Sequence, residues 1–145
     1  MKLEKQVASL ELSKKLEELG VEQNSLFGWS LYDEKNNLWG VEEFRNIGDE
    51  YSAFTVAELG EMLPVTIQMN RRRGVDTHWL ENTKTTHKYR CGYIYEDSRG
   101  TTGWGRVSDF ESHAVGISKT EANARAKMLI YLLENKLITN DTTRT

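Results

Sequence analysis

The chain has 145 residues, with 19 Lys and Arg side chains against 22 Asp and Glu, a formal net charge of −3, and one Cys. The length predicts one domain, the slight acidity argues against general coating of DNA, and a single Cys excludes a disulfide framework and favours a reducing compartment. No run of about 20 apolar residues is present and the first 15 residues are charged, so we expect no membrane span, no secretory signal and a cytoplasmic protein.

Two segments of the N-terminal half show helical periodicity and helix end signals. Residues 10–19 place leucines on one stripe, and Ser9 precedes them as a capping residue. Residues 56–63 form the second predicted helix, in which Thr55 and Glu58 make a capping box.

The third predicted helix lies near the C-terminus. We interpret Ser118 and Glu121 as its capping box, and residues 128–133 are six consecutive apolar residues. A helix that is apolar on all sides is buried on more than one side. It lies centrally in the domain, or its outer side, which carries Met128, Tyr131 and Leu132, meets another subunit. We therefore predict a buried C-terminal helix and a homo-oligomer formed through it.

The remaining elements are predicted strands with turn residues between them. The segments with strand periodicity are residues 26–32, 38–44, 65–69, 77–81, 88–96 and 103–110. Their connections are too short for parallel crossovers, so we expect antiparallel pairing. The predicted fold is a single α+β domain over residues 1–139, in the order α-β-β-α-β-β-β(-β)-α, with an antiparallel sheet of about five strands and three helices. Residues 140–145 form a frayed polar tail.

Three stretches in the helical segments carry a resemblance. They are SLELSKKLEELGV (residues 9–21), FTVAELGEMLP (residues 54–64) and TEANARAKMLIYLLENKLI (residues 120–138), which together cover 43 of the 145 residues. They resemble a family of small, uncharacterised proteins encoded by bacteriophages and prophages. The family brings no assigned activity or catalytic residues. The resemblance implies an accessory protein in the cytoplasm of an infected bacterium, where such proteins bind host factors, nucleic acid or nucleotide immune signals.

Charge is unevenly distributed along the sequence. Residues 1–65 carry 6 basic and 13 acidic side chains, residues 66–106 carry 8 basic and 4 acidic, and residues 107–145 carry 5 of each. The net charges are therefore −7, +4 and 0. We call residues 66–106 the basic segment, and it also holds two of the four Trp residues. Such a mixture of cations and aromatic rings favours an anionic partner.

The basic segment supplies the candidate ligand-binding residues. Arginine binds phosphate through two hydrogen bonds, and an aromatic ring stacks on a nucleobase. The candidates are Arg71, Arg72, Arg73, Trp79, Arg90, Trp104 and Arg106. The alternative interpretation is that these charges are solvated and keep sheet edges soluble.

Residues suited to catalysis or metal binding are sparse. His78, His87 and Cys91 lack the spacing of a zinc site, so we predict no metal and no cofactor. Cys91 alternates with Tyr89 and Tyr93, which predicts a thiol that is buried in the core and unreactive. We therefore predict no catalytic residues.

These observations predict a non-enzymatic accessory protein of a phage or prophage. It would sequester a small anionic ligand, of the type of a nucleotide immune signal of the host, through the basic segment. The alternative is a module that uses the same side chains to bind nucleic acid or to inhibit a host protein. A small hydrolase is the third hypothesis.

Overall fold

The structure is a computed structural model that describes residues 1–45, 48, 50–71, 74–96, 102–104 and 116–139, without the side chains of residues 69–71, 74–77, 95–96 and 102–104. The helices in these ranges are α1 (Leu10–Glu18), α2 (Val56–Met62) and α3 (Glu121–Glu134). The strands are β1 (Phe27–Asp33), β2 (Leu38–Glu43), β3 (Glu50–Ser52), β4 (Thr66–Arg71), β5 (Gly74–Lys84), β6 (Tyr89–Glu96), β7 (Thr102–Trp104) and β8 (Gly116–Ser118). The predicted α+β class is confirmed. The predicted tail, residues 140–145, lies outside the described residues.

The strands form two antiparallel sheets instead of one. The first sheet has the order β2-β1-β3. In the second, β4, β5 and β6 are neighbours, and β7 and β8 pair with different parts of the other side of β6. The sheets are separate because β3, which the sequence pattern did not reveal, closes the first sheet before the chain enters α2. Pairing between β4 and β5 continues to Arg71 and Gly74, so both strands are longer than predicted.

The ends of α1 and α2 follow the predicted capping chemistry. The Ser9 hydroxyl accepts a hydrogen bond from the backbone N–H of Leu12, at 3.4 Å. In α2 the Thr55 hydroxyl accepts from the backbone N–H of Glu58 at 3.2 Å, and the Glu58 carboxylate accepts from the backbone N–H of Thr55 at 2.8 Å. Both predicted helix starts are therefore confirmed.

The start of α3 differs from the prediction. The capping residue is Thr120, whose hydroxyl accepts from the backbone N–H of Asn123 at 3.3 Å. Ser118 lies in β8, where it pairs with Tyr89. The predicted Ser118–Glu121 capping box is wrong because sheet pairing holds Ser118 extended, so the helix begins two residues later.

The main core surrounds α3. Met128 and Leu132 are both fully buried, as are the alanines on the side of α3 that packs against β6 and β8. The predicted burial of this helix is thus confirmed, and its placement is central. On the side that suggested contact with a second subunit, Met128 and Leu132 are covered within the chain and Tyr131 is half-buried. The homo-oligomer stays a prediction.

A second, smaller core lies against the first sheet. Val7, Trp29 and Ala53 are buried there, and the indole N–H of Trp29 donates to the backbone oxygen of Ala8 at 2.8 Å. Helix α1 contacts both β3 and α3, so it joins the two cores. No helix in the described part of the chain is long and apolar enough to cross a bilayer.

Candidate functional site

The predicted ligand-binding arginines do not meet at one point. Arg71 pairs with Gly74 at one end of β5, and Arg90 pairs with Thr83 near the other end. Nine residues of β5 separate these two positions, which is about 30 Å at 3.3 Å per residue. Arg71 and Arg90 are therefore too far apart to hold one mononucleotide. The others, Arg72, Arg73 and Arg106, lie outside the described residues.

The two predicted tryptophans lie in one cross-strand row. Ile94 on β6 pairs with Trp79 on one side and with Trp104 on the other. The Trp79 side chain is 44% exposed, whereas the preceding residue, His78, is fully buried. Trp79 thus lies on the outer face of the sheet. The structure does not describe the Trp104 side chain. Arg90 pairs with Thr83, which is four positions after Trp79 on β5 and therefore about 13 Å away from it.

Two adjoining cavities lie beside Tyr89, at the start of β6. The larger has a volume of about 740 Å³ and the smaller about 320 Å³. Side chains of Tyr89 and Glu121 line both, so the cavities share a wall. Pockets for small molecules usually have volumes of about 300–1,000 Å³. Both cavities therefore have the size of a ligand site, and we call them the large and the small cavity.

The small cavity is polar, and Lys84 and Arg90 are among the residues that line it. Lys84 ends β5 and pairs with Tyr89, while Arg90 pairs with Thr83, so both residues lie at one end of the hairpin and their side chains leave opposite faces of the sheet. The Lys84 ammonium lies 5.3 Å from the centroid of the Tyr89 ring. Lys84 is therefore placed to attract a small anion beside Tyr89.

One acid faces the same cavities, and a cation already pairs with it. The Glu121 carboxylate lies 2.7 Å from the guanidinium of Arg125, one turn further along α3. The Arg125 side chain is only 17% exposed. Arg125 therefore compensates the charge of Glu121, and Lys84 adds a positive charge at the small cavity.

The large cavity is lined by residues of both sheets, of α2 and of the N-terminal segment. Phe27 comes from β1, Val56 from the start of α2 and Leu3 from the turn before α1, and all three are half-buried. Lys5 and Lys119 line the cavity as well, and both are exposed. The large cavity therefore combines apolar walls with a cationic rim.

Cys91 is poorly suited to act as a nucleophile. Its thiol is 1% exposed, and burial raises the pKa of Cys91 from 9.0 to about 12. Such a thiol is protonated at neutral pH and is a poor nucleophile. The predicted burial of Cys91 is confirmed. Among the described residues, no group of three or more His, Cys, Asp or Glu side chains is arranged to hold a metal ion.

Cys91 is expected to resist thiol reagents in the folded protein. A colorimetric disulfide reagent at pH 8 should label less than a tenth of the protein in the time that labels all of it in guanidinium chloride, because the folded thiol is both covered and protonated. Rapid, complete labelling of the folded chain would contradict the buried position.

Sequence reasoning missed most of the side chains around the cavities. The sequence pattern identifies Tyr89 only as a residue that alternates with Cys91, and it counts Lys84 in the basic segment, although the predicted strand ends at residue 81. A longer β5 would have revealed that Lys84 and Tyr89 pair. Leu3 and Lys119 are separated by more than 100 residues, so no local signal joins them.

No family model, curated protein or solved structure matches the chain. The resemblance of the helical segments to phage and prophage proteins therefore stays a prediction, and function is argued from the site alone.

Proposed function

We propose that the protein is a non-enzymatic accessory binding protein of a phage or prophage, and that it sequesters a small anionic ligand of nucleotide type. The proposed site is the pair of cavities beside Tyr89. The observation that carries the proposal is that Lys84 lines a cavity of about 320 Å³ beside a larger, mostly apolar one, and that Tyr89 and Glu121 line both. Of the two predicted ligand-binding residues whose side chains the structure describes, Arg90 lines this site and Trp79 does not.

Capture by these cavities depends on charge and enclosure. A phosphate or carboxylate in the small cavity would lie near the ammonium of Lys84, which attracts it by a charge-assisted hydrogen bond. Ionic interactions in a partly enclosed site are screened less by salt than those on an open surface. Sequestration requires tight binding and no chemical step. It would lower the free concentration of a host nucleotide signal without cleaving the nucleotide.

A thermal-shift panel of nucleotides, cyclic dinucleotides and ADP-ribose derivatives tests the proposal. A ligand at 100 times its Kd is expected to stabilise the protein by about 2.7 kcal/mol. The Lys84→Gln variant should weaken binding of that ligand about tenfold, since it removes one charge-assisted hydrogen bond. Lys35→Gln, at an exposed position between β1 and β2, is the matched control and should bind normally. The proposal fails if no compound shifts Tm, or if Lys84→Gln binds as tightly as wild type.

A second candidate function is favoured by the outer face of the second sheet. Trp79 is exposed there, and Arg90 pairs with Thr83, which lies on the same face about 13 Å further along β5. A single strand of nucleic acid can follow such a surface by stacking on the Trp79 ring and contacting Arg90. Salt separates the two functions, because binding to a polymer weakens by a log–log slope of about −0.7 per neutralised phosphate of a single strand.

A further inference from the structure

One edge of the second sheet lacks the features that usually protect sheet edges. Among the described strands, β4 pairs only with β5, over Thr66–Arg71 and without a bulge. Edge strands are normally kept from pairing with other chains by charged side chains, prolines, bulges or short length. β4 has six residues, carries no charge before Arg71, and follows the only proline, Pro64. Val65 is 75% exposed, and Thr66 and Gln68 are exposed as well, so this edge faces solvent.

The other edges in the described part of the chain are better protected. β3, β7 and β8 have three residues each. β2 ends in Glu42 and Glu43, which are both exposed, and its pairing with β1 is irregular between Leu31 and Asp33. An added strand would therefore meet the fewest obstacles at β4.

The backbone groups of alternate β4 residues point away from β5. The backbone N–H of Leu80 donates to the backbone oxygen of Val65 at 2.8 Å, so Val65 directs its backbone towards β5. In an antiparallel ladder this direction alternates from one residue to the next. Thr66, Gln68 and Asn70 therefore present their N–H and C=O groups to the open side of β4. These groups need water or a further strand as a partner.

A second copy of the chain can supply that strand through a two-fold axis at Gln68. Gln68 of one copy then pairs with Gln68 of the other, and Thr66 of each copy pairs with Asn70 of the other. Each of these pairs exchanges two hydrogen bonds, so this register forms about six, and a shift in either direction forms fewer. We infer that two copies of the protein associate by antiparallel pairing of their β4 strands in this register, which joins their second sheets into one.

The distribution of charge on β4 allows the strand to pair with itself. The residues that meet between positions 66 and 70 are uncharged in both copies. Arg71 lies opposite Val65 of the other copy, so the two Arg71 positions are about 20 Å apart along the strands. Charges on a protein surface at that distance are screened at physiological salt, where the Debye length is about 8 Å. A charged peptide, in contrast, would find no complementary charge on the strand before Arg71.

Sedimentation equilibrium measures this association. The pairing uses about six residues of each chain, whereas stable interfaces use about 20–30, so we expect a reversible dimer that dissociates at low micromolar concentration. Gln68→Lys should weaken dimerisation at least tenfold, because it places two ammonium groups opposite each other. Gln68→Pro should have a similar effect without a charge, since the N–H that it removes points away from β5. Thr86→Lys, at an exposed position in the turn between β5 and β6, is the matched control and should dimerise like the wild type.

Disulfide cross-linking tests the register. The Cα atoms of a hydrogen-bonded antiparallel pair lie about 5.5 Å apart, which a disulfide can span. Gln68→Cys should therefore form a cross-linked dimer on mild oxidation. Thr66→Cys is the matched control on the same strand and face, and its two positions lie about 13 Å apart along the strands, so it should not cross-link. The native Cys91 is buried and should contribute little background.

The outcomes decide the inference independently of ligand binding. A chain that is still monomeric at about 1 mM overturns the inference and leaves the β4 edge to an extended segment of another protein. A dimer that folded Gln68→Lys and Gln68→Pro leave unchanged also overturns it, because the contact then lies elsewhere. If circular dichroism shows that these variants are not folded, cross-linking decides. Cross-linking of Gln68→Cys alone supports the register, and equal cross-linking at positions 66 and 68 overturns it.

Discussion

Replacing Gly116 by alanine is expected to destabilise the folded chain by about 3 kcal/mol, the upper end of the usual cost of overpacking a core. A Cβ atom at this position would overlap the backbone carbonyl oxygen of Ala124 and lie 2.9 Å from the carbonyl carbon of the same residue. It would also lie 3.2 Å from the backbone oxygen of Cys91. These atoms belong to the backbones of α3 and β6, so no rotation of a side chain relieves the overlap.

Urea denaturation followed by far-UV circular dichroism measures this effect, and a second glycine provides the control. At Gly40 on β2, a Cβ would lie 3.4 Å and 3.5 Å from ring carbons of Tyr32, which is ordinary contact with a side chain that is 68% exposed. Gly40→Ala should therefore change the free energy of unfolding by less than about 1 kcal/mol. Equal effects of the two substitutions would show that β8 does not lie as close to α3 as described.

The same close approach accounts for one buried alanine of α3. Ala124 is buried, and Gly116 of β8 lies directly against its backbone. Ala122 and Ala126 share one side of the helix, whereas Ala124, two residues from each, lies on nearly the opposite side. The sequence pattern predicts the apolar stripe that carries Ala122 and Ala126. It does not predict that Ala124 is buried, because β8 covers that part of the helix only in the folded chain.

Local signals account for the parts of the fold that could be predicted. Ser9 and Thr55 act through contacts within three residues, and both helix starts were predicted correctly. Ser118 carries the same kind of signal, yet its backbone pairs with Tyr89, 29 residues away in the sequence. A contact over that distance leaves no local pattern, so the cap was placed two residues too early.

The candidate site was also hard to predict, because its residues are distant from one another in the sequence. Arg71 and Arg90 belong to one basic segment, and the sequence suggests that they act together. An extended strand carries them about 30 Å apart, because each residue adds about 3.3 Å. The cavities instead collect side chains from the N-terminal turn, both sheets and α3, which no property of a single segment could have predicted.

Replacing Glu58 by alanine is expected to cost about 3 kcal/mol of stability, because one carboxylate serves several donors. Its Oε1 accepts from the backbone N–H of Leu26 at 2.9 Å. Its Oε2 accepts from the Ser25 hydroxyl at 3.0 Å, and from the backbone N–H and hydroxyl of Thr55 at 2.8 and 2.9 Å. Hydrogen bonds to a charged group contribute about 1.5–3 kcal/mol each, although bonds to a single carboxylate do not add independently.

Two further variants separate the hydrogen bonds from helix propensity and charge. Glu61 lies on the same helix, is exposed, and should lose less than about 0.5 kcal/mol as Glu61→Ala. Glu58→Gln keeps one acceptor oxygen and turns an amide group towards donors, so its loss should fall between those of the two alanine variants. Urea denaturation of all three measures the order, and equal stability of Glu58→Ala and Glu61→Ala would contradict the network.

Glu58 also links stability to the proposed ligand site. Leu26 donates to its carboxylate, and the next residue, Phe27, forms a wall of the large cavity. Because α2 supplies Val56 to the same cavity, Glu58 holds two of its walls at a constant separation. In conditions where Glu58→Ala is still folded, its affinity for a nucleotide that binds the wild type should fall, whereas Glu61→Ala should bind normally. Unchanged affinity of folded Glu58→Ala would show that the ligand does not use the junction between β1 and α2.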